Sequence, residues 1–293
     1  MTTPAPPHPY RSRRACLSVP GSSEKMLAKA PGLGADELVL DLEDAVAAAD
    51  KEQAREQVLA ALGSMPSGTS CAVRVNAPRT QWCHADLVAL AGAPQAPSTV
   101  VVPKVQSAGD MAFVDRLLDG AERAAGSSEP IGVQALIETS VGLRALDAIV
   151  AESARLRSLI LGYADLAASL GRTRAGAAVL DAWLPAQEAV LHAARAAGVQ
   201  AIDGPFLGLA DDADFRAAAT RAADLGFDGK WAIHPAQVAA LTELFTPPPA
   251  EVDHARAVLG ALDGGAPGAV ALNGEMIDEA SAAAARRLLA RVS

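Results

Sequence analysis

The sequence predicts an α/β protein, a (β/α)₈ TIM barrel with a C-terminal helical tail extension. Short apolar runs rich in Val, Ile and Leu alternate with longer Ala-rich segments that carry spaced charges. Eight such pairs follow one another in about 230 residues, which is the unit count of this barrel. An open doubly wound sheet is the competing fold, and it calls for a glycine fingerprint just after an early strand. The GLGAD segment at 32–36 precedes a strand instead.

The eight apolar runs are the predicted strands. Strands that are buried on both faces of a parallel sheet are nearly continuous in hydrophobicity, as these runs are. They span residues 15–21, 37–44, 71–77, 98–105, 131–139, 156–166, 200–207 and 229–237.

The predicted helices lie between these runs. Their apolar residues recur at i, i+3 and i+4, which is the spacing of one helix face. Two of them end in a glycine, Gly198 or Gly226, that suits a helix C-terminus. The segments include 50–62, 110–125, 141–153, 186–198 and 214–226.

The chain divides into three predicted parts. Residues 1–12 are a Pro-rich, then basic, flexible leader, and residues 13–246 are the barrel. Residues 247–293 form a C-terminal extension with a helix at 250–262 and another near 279–291. This extension is too short to fold alone, so we expect it to pack on the barrel of its own or a neighbouring subunit.

Composition excludes several classes of protein. The 293 residues include 25 Lys and Arg against 34 Asp and Glu, a net charge of −9. An acidic chain is a poor binder of nucleic acid or anionic membranes. The three cysteines form no CxxC pair, and no stretch resembles a secretory signal or an 18-residue apolar span. We therefore expect a cytoplasmic protein without nucleic-acid or membrane partners.

Polar side chains end nearly every predicted strand. Active sites of such barrels form at the carboxyl ends of the strands. Carboxylate oxygens select a hard cation, Mg²⁺ or Mn²⁺, and Glu138 and Asp165 end neighbouring runs, so they could share one ion. Arg74 offers a planar fork for a substrate carboxylate. The residues at the strand ends are Asp41, Glu43, Asp44, Arg74, Asn76, Lys104, Glu138, Asp165, Asp203 and His234.

Several of these residues also fit structural roles. Asp44 could cap the next helix, Asp203 could brace the mouth of the barrel, and His234 precedes a proline as a hydrogen-bonded structural histidine would. A Schiff-base aldolase using Lys104 or Lys230 is a rival mechanism.

The chain resembles the citrate lyase β-subunit-like family of the HpcH/HpaI aldolase superfamily, which includes malyl-CoA and citramalyl-CoA lyases. Nine segments carry the resemblance in family order. They are RRACLSVPGSSEKM (13–26), LVLDLEDAV (38–46), VRVN (73–76), VVPKV (101–105), ALIETSVGL (135–143), LGYADLAASLG (161–171), AIDGPFL (201–207), LGFDGKWAIHPAQV (225–238) and NGEMID (273–278). Relatives commonly carry Tyr-Ala-Arg where this chain has Pro185-Ala186-Gln187.

The resemblance implies particular site residues. The metal ligands match Glu138 and Asp165, and the arginine that holds the substrate carboxylate matches Arg74. Glu43 matches the acid that orients water at the metal, with Asp44 beside it in the substrate site and backbone N–H groups near Ala164 facing the thioester oxygen. Asp278 matches a catalytic aspartate that reaches over from an adjacent subunit. The residues that match coenzyme A contacts are Arg14 and Lys25.

The function implied is a Mg²⁺-dependent carbon–carbon lyase. It would cleave or form a 3-hydroxyacyl-CoA such as malyl-CoA or citramalyl-CoA, with acetyl-CoA and an α-keto acid as the other side of the reaction. Its expected assembly is a homotrimer or a hexamer. The alternatives are a citrate lyase β subunit working in a complex and a malyl-CoA thioesterase. Glyoxylate and pyruvate products differ by one methyl group, and the sequence does not choose between them.

Overall fold

A closed barrel of eight parallel strands forms the centre of the computed structural model, which describes residues 10–173, 180–263 and 269–292. Each strand pairs with its neighbours in chain order, and β8 closes on β1 through the pairs Ala15–Lys230 and Leu17–Ala232. The strands are β1 (Ala15–Pro20), β2 (Glu37–Asp41), β3 (Cys71–Arg74), β4 (Thr99–Val102), β5 (Gly132–Ile137), β6 (Leu156–Leu161), β7 (Gln200–Asp203) and β8 (Gly229–Ala232).

Helices surround the barrel and confirm the predicted alternation. The prediction of one helix at 141–153 was wrong, because Ala145 separates two short helices there. The helices of the barrel are α1 (Glu24–Lys29), α2 (Lys51–Ser64), α3 (Cys83–Ala91), α4 (Ala108–Ala125), α5 (Ser140–Arg144), α6 (Leu146–Glu152), α7 (Tyr163–Ser169), α8 (Leu180–Ala197), α9 (Ala213–Leu225) and α10 (Val238–Phe245).

The helix ends follow the local sequence. Ser23 accepts a hydrogen bond from the Met26 N–H at the start of α1, and Ser107 does the same for Asp110 at the start of α4. Gly198 and Gly226 have φ values of +69° and +101° after α8 and α9, as a left-handed C-terminal glycine requires.

The interior of the barrel is built in layers, because alternate residues of each strand point inward. The middle layer takes one buried apolar residue from every strand: Cys16, Val39, Ala72, Val101, Leu136, Ile160, Ile202 and Trp231. Below it, at the amino ends of the strands, Glu37 and Gln134 form a buried polar layer with Arg13. Above it, Asp41, Arg74 and Glu138 stand two residues further along their strands. The apolar middle layer therefore separates the polar and charged residues at the two ends of the barrel interior.

The tail forms α11 (Pro249–Asp263), the hairpin strands β9 (Val270–Leu272) and β10 (Glu275–Ile277), and α12 (Glu279–Ala290). Asn273 and Gly274 turn the hairpin with φ values of +51° and +87°, as a tight two-residue turn needs. A separate apolar cluster that includes Val258 and Ile277 joins the tail helices. The tail also contacts its own barrel, since the Arg291 guanidinium donates a hydrogen bond to the Phe245 carbonyl.

Two further expectations concern parts of the chain rather than the barrel. The predicted flexible leader falls mostly on residues outside the described ranges, and the predicted division at residue 246 stays a prediction. Within the described ranges, no helix combines the length and the apolar character needed to cross a membrane.

Candidate metal centre and active site

Glu138 is a deeply buried acid at the carboxyl end of the barrel. It follows β5 directly, and the register puts its side chain inward above Leu136. The residue is 3% exposed, and its Oε1 accepts a hydrogen bond of 2.8 Å from the Lys104 backbone N–H. Gly162 leaves it room, because a Cβ on this glycine would lie 2.5 Å from the Glu138 Cβ.

The electrostatic surroundings of Glu138 oppose its negative charge. Burial, together with the neighbouring charges of Glu43 and Asp165, raises its pKa from 4.5 to about 8. Arg74 and Lys104 act in the other direction but do not compensate fully. A bound divalent cation would stabilise the ionised carboxylate, which makes Glu138 suited to be a metal ligand.

Asp165 lies beside Glu138 but not at the end of a strand. The expectation that it ends β6 was wrong, because β6 stops at Leu161 and Asp165 is the third residue of α7. Gly162 makes this sharp change of direction directly against Glu138. The Asp165 side chain is 35% exposed, so it faces the open side of the mouth.

Glu43 lies between two cations in the loop after β2. Its Oε1 is 2.5 Å from the Lys104 Nζ, and its Oε2 is 3.1 Å from the Arg74 Nη1. Burial raises its pKa, and those two cations limit the increase. The loop is held from behind by Lys51, whose ammonium group donates hydrogen bonds to the carbonyls of Leu42 and Glu43 at 2.8 and 2.6 Å.

Arg74 is already engaged by the protein. Its Nε and Nη2 donate to the two oxygens of Asp41 at 2.8 and 2.5 Å, so one side of its fork is filled. The guanidinium also lies 5.5 Å over the Trp231 ring. Guanidinium carries five N–H groups; Asp41 takes one from Nε and one from Nη2, and Glu43 lies 3.1 Å from Nη1, so the remaining N–H groups of Nη1 and Nη2 are those left for a ligand. Arg74 thus presents an end-on rather than a side-on fork.

Lys104 belongs to the same cluster. Besides Glu43, its Nζ lies 3.4 Å from the Asp44 carboxylate and 3.8 Å from Asp165 Oδ1. The pKa of Lys104 is raised, since the hydrogen bond and charge of Glu43 outweigh the opposing effect of burial. A Schiff-base nucleophile must be a neutral amine, so this environment disfavours the rival mechanism at Lys104.

The charges around the mouth leave a defined excess. With every group ionised, five carboxylates face three cations, an excess of two negative charges, the charge of one divalent ion. The groups are Asp41, Glu43, Asp44, Glu138 and Asp165 against Lys51, Arg74 and Lys104. Over the described ranges, no three His, Cys, Asp or Glu side chains form a ready ligand set. Two carboxylates with the remaining positions open to water and substrate is the arrangement that Mg²⁺ prefers.

Asp44 and Ala164 border the same opening. The Asp44 side chain is 57% exposed. It caps neither of the next two helices, because Ala47 is the N-cap residue of the following 3₁₀ helix and Asp50 is that of α2. Ala164 is exposed in the first turn of α7, where backbone N–H groups have no intrahelical acceptor. Both residues therefore lie where a substrate would be held.

The Asp278 carboxylate is engaged at the start of its own helix. It begins α12, and its Oδ1 accepts hydrogen bonds from the Ala280 and Ser281 N–H groups at 2.9 and 3.2 Å. The side-chain hydrogen bonds described for Asp278 all lie within its own helix. Asp278 therefore caps α12 in the structure, whichever subunit its carboxylate serves.

The two residues predicted to contact coenzyme A lie at opposite ends of the barrel. Arg14 precedes β1 at the amino end, where its Nε and Nη2 pair with Asp36 at 2.8 Å each and its Nη1 contacts Thr246. Its guanidinium is thus used structurally and is not brought together with the metal-binding residues. Lys25 follows β1 on α1 at the carboxyl end, and it is exposed.

Asp203 and Lys230 lie on the outer face of the barrel wall. Lys230 is level with the outward-facing Ala15, and its Nζ pairs with Asp203 Oδ2 at 2.5 Å. Tyr163 donates to the same carboxylate, and the Gln187 amide donates to the Tyr163 hydroxyl at 2.8 Å. Gln187, which stands where relatives commonly have arginine, thus completes a buried network between strands and helices. Lys230 is 1% exposed, and Asp203 and the Gly204 carbonyl engage its ammonium group, which disfavours a Schiff base at this lysine as well.

His234 and Asn76 are also structural, although both follow strands. The His234 imidazole accepts a hydrogen bond from the Ala236 N–H and begins a 3₁₀ helix, as expected of a structural histidine. The Asn76 amide turns away to Asp86 on α3 at 2.7 Å. Lys51 was not predicted as a site residue, because no sequence pattern distinguishes a buried lysine near the start of a helix from an exposed one.

Known proteins resemble this chain over most of its length in sequence and in structure. The profile of the HpcH/HpaI aldolase/citrate lyase family matches residues 14–235. An L-malyl-CoA/beta-methylmalyl-CoA lyase of Cereibacter sphaeroides is 38% identical over 298 residues, covering 95% of this chain and 93% of its own length. A (3S)-malyl-CoA thioesterase of the same species is 35% identical, covering 97% of this chain and 95% of its own. The crystal structure of CitE from Mycobacterium tuberculosis in complex with magnesium, acetoacetate and coenzyme A has a TM-score of 0.75 at 31% identity. It covers 94% of this chain and 97% of that one.

Proposed function

Because the chain belongs to the HpcH/HpaI aldolase/citrate lyase family, we propose that it is a Mg²⁺-dependent carbon–carbon lyase acting on a 3-hydroxyacyl-CoA. Malyl-CoA and its methylated relatives are the substrates we favour, since a malyl-CoA/beta-methylmalyl-CoA lyase resembles the chain over nearly its whole length. The observation that carries this proposal is the buried Glu138 beside Asp165 in a mouth whose carboxylates, once all are ionised, exceed the neighbouring cations by two charges.

Glu138 and Asp165 would hold the metal, which is Mg²⁺ or, alternatively, Mn²⁺. When bound, such a cation supplies Lewis-acid polarisation of the substrate oxygens. The remaining work falls on side chains of the protein. The outer N–H groups of Arg74 would bind the terminal carboxylate of the substrate, and Asp44 would border the same pocket. Glu43, fixed between Arg74 and Lys104, would orient a water molecule at this site.

The reaction breaks the bond between the hydroxyl-bearing carbon and the carbon next to the thioester. The hydroxyl proton leaves to water in the mouth, a carbonyl group forms on the α-keto acid product, and the electron pair of the broken bond becomes the enolate of the acyl-CoA product, acetyl-CoA in the case of malyl-CoA. Backbone N–H groups at Ala164 and Asp165 would stabilise the charge on the thioester oxygen. Protonation of the enolate carbon completes the cleavage, and the reverse steps give condensation.

We assign that proton transfer to Asp278 of an adjacent subunit. Among the described residues, the side-chain hydrogen bonds of Asp278 lie within its own helix, while Met276 of the hairpin, two residues earlier, is 76% exposed. Apolar residues also remain exposed at the rim of the mouth, among them Leu207 and Leu209, which are 54% and 57% exposed. A tail of a second copy lying over this rim would cover both surfaces. This assembly, a trimer or a hexamer, is part of the proposal.

The coenzyme A moiety would leave the mouth past α1, where the exposed Lys25 could bind a phosphate. Arg14 takes no part in the proposed mechanism, because Asp36 occupies its guanidinium. A cytoplasmic location also belongs to the proposal and is supported by three free, buried cysteines.

A coupled assay tests the proposed function. Purified protein alone is mixed with malyl-CoA, methylmalyl-CoA or citramalyl-CoA, with Mg²⁺ or with EDTA, and both the α-keto acid and free thiol are measured. The proposal expects keto acid without free thiol, and only with the metal. Free thiol without keto acid would indicate a thioesterase, and activity only with added partner chains would indicate a citrate lyase β subunit. Turnover that persists undiminished in EDTA would contradict the metal mechanism.

A further inference from the structure

Lys104 has an unusual backbone conformation at the mouth of the barrel. Its φ is +53°, and only one other non-glycine residue in the described ranges, Asn273 of the tail hairpin, has a positive φ. A side chain in this left-handed region costs about 1–2 kcal/mol relative to ordinary helical backbone, whereas glycine adopts it freely. A lysine therefore occupies a position whose backbone conformation favours glycine.

Two parts of Lys104 contact two different sets of carboxylates. Its backbone N–H donates to Glu138 Oε1 at 2.8 Å and so fixes one of the proposed metal ligands. Its ammonium group contacts Glu43 at 2.5 Å and lies 3.8 Å from Asp165, the other proposed ligand. The side chain is 30% exposed, so its charge faces the space that metal and substrate would share.

We propose that Lys104 is a positioning residue that balances the affinity of this mouth for the divalent cation against its affinity for the anionic substrate. The proposal rests on the proposed function in one respect, that Glu138 and Asp165 hold the cation. The ammonium group repels a cation bound between them and attracts a substrate carboxylate. Without it, the net charge of the mouth becomes more negative by one unit, so cation binding strengthens while anion binding weakens.

The test separates the charge of Lys104 from its backbone. Lys104→Asn removes the ammonium group but keeps the N–H to Glu138, and asparagine tolerates the left-handed region. Lys104→Arg keeps the charge. Lys29→Asn is the matched control, because Lys29 is an exposed lysine at the end of α1 and its loss changes the net charge equally. Two equilibrium constants are measured by calorimetry: that of Mn²⁺ alone, and that of oxaloacetate, an anionic α-keto acid, in saturating Mg²⁺.

The proposal expects opposite changes in the two constants. Lys104→Asn should bind Mn²⁺ at least about fivefold more tightly and oxaloacetate at least about fivefold more weakly, the size expected for one nearby charge. Lys104→Arg and Lys29→Asn should resemble the wild type in both. Weakening of both constants in Lys104→Asn, as a merely structural role predicts, or no change in either, would overturn the proposal. Both readouts are binding constants, so they decide the role of Lys104 even if no acyl-CoA is cleaved and the proposed function fails.

Discussion

Arg74 and Asp41 form a two-point ion pair across neighbouring strands, with Nε–Oδ1 and Nη2–Oδ2 distances of 2.8 and 2.5 Å. Both residues are the last of their strands, and the register sets them side by side as the pair Asp41–Arg74. This contact fixes the plane of the guanidinium and directs its remaining N–H groups into the mouth. The orientation of the group that we expect to hold the substrate carboxylate is therefore determined by β2.

Replacing Arg74 with lysine tests this arrangement. Lysine keeps the charge but cannot contact Asp41 at two points and a ligand at the same time. We expect KM for the acyl-CoA substrate to rise about 10- to 100-fold, as loss of a charge-assisted hydrogen bond predicts. Arg79→Lys is the control, because that arginine is 76% exposed. An unchanged KM in steady-state kinetics of Arg74→Lys would show that this arginine does not bind the substrate.

The pKa of Glu138 predicts how stability depends on pH. In the folded chain the carboxyl binds a proton up to about pH 8, whereas an ordinary glutamate releases it near 4.5. Between those values the folded state binds more protons, so the free energy of unfolding falls as pH rises. Added Mg²⁺ should reverse this loss by favouring the ionised carboxylate.

Thermal unfolding in EDTA from pH 5 to pH 8 measures this effect. The melting temperature of the wild type should decrease over the window more than that of Glu138→Gln, which has no proton to lose there. Addition of Mg²⁺ at pH 8 should raise the melting temperature of the wild type but not of the variant. Parallel pH curves for the two proteins would contradict the assignment of a raised pKa to this residue.

The barrel was predictable because its signals are periodic and repeated. Each of the apolar runs that predict β1 to β8 contributes one residue to the middle layer of the barrel interior. Gly198 and Gly226 mark helix ends because they adopt a positive φ that other residues avoid. The direction of strand-end side chains was not predictable from composition. Asp203 and Glu138 both follow apolar runs, yet Asp203 faces outward to Lys230, and a shift of one residue in a strand reverses the face.

Asp278 can be tested without disturbing the fold of the tail. Asparagine caps a helix as well as aspartate does, so Asp278→Asn should retain stability, whereas Asp278→Ala should lose about 1 kcal/mol. We expect both variants to lose the lyase reaction by at least about 100-fold, the usual contribution of a positioned acid or base. If Asp278→Asn retained wild-type kcat, Asp278 would be a helix cap only.

Mixing two inactive variants tests the shared site. Glu138→Gln lacks a proposed metal ligand, and Asp278→Asn lacks the proposed acid. If each site combines Glu138 of one subunit with Asp278 of another, co-expression should create some complete sites and restore part of the activity. The restored fraction should appear only in mixed oligomers that are separated by two affinity tags. Mixed oligomers without activity would place both residues in the same subunit.

The buried pair of Lys230 and Asp203 predicts a stability effect without a covalent intermediate. Lys230→Met leaves the Asp203 carboxylate buried and unpaired, which should lower the free energy of unfolding by about 3–5 kcal/mol. Borohydride treatment of wild-type protein with an α-keto acid should add no mass. A reduced adduct on Lys230 in mass spectrometry would instead support the Schiff-base mechanism.

The proposed lyase mechanism depends most on one divalent cation shared by Glu138 and Asp165. Titration of Mn²⁺ followed by electron paramagnetic resonance counts the bound ions directly. The proposed metal site predicts that the wild type binds one Mn²⁺ tightly per chain and that Glu138→Gln and Asp165→Asn each lose this tight binding. One site per chain with unchanged affinity in both variants would contradict it.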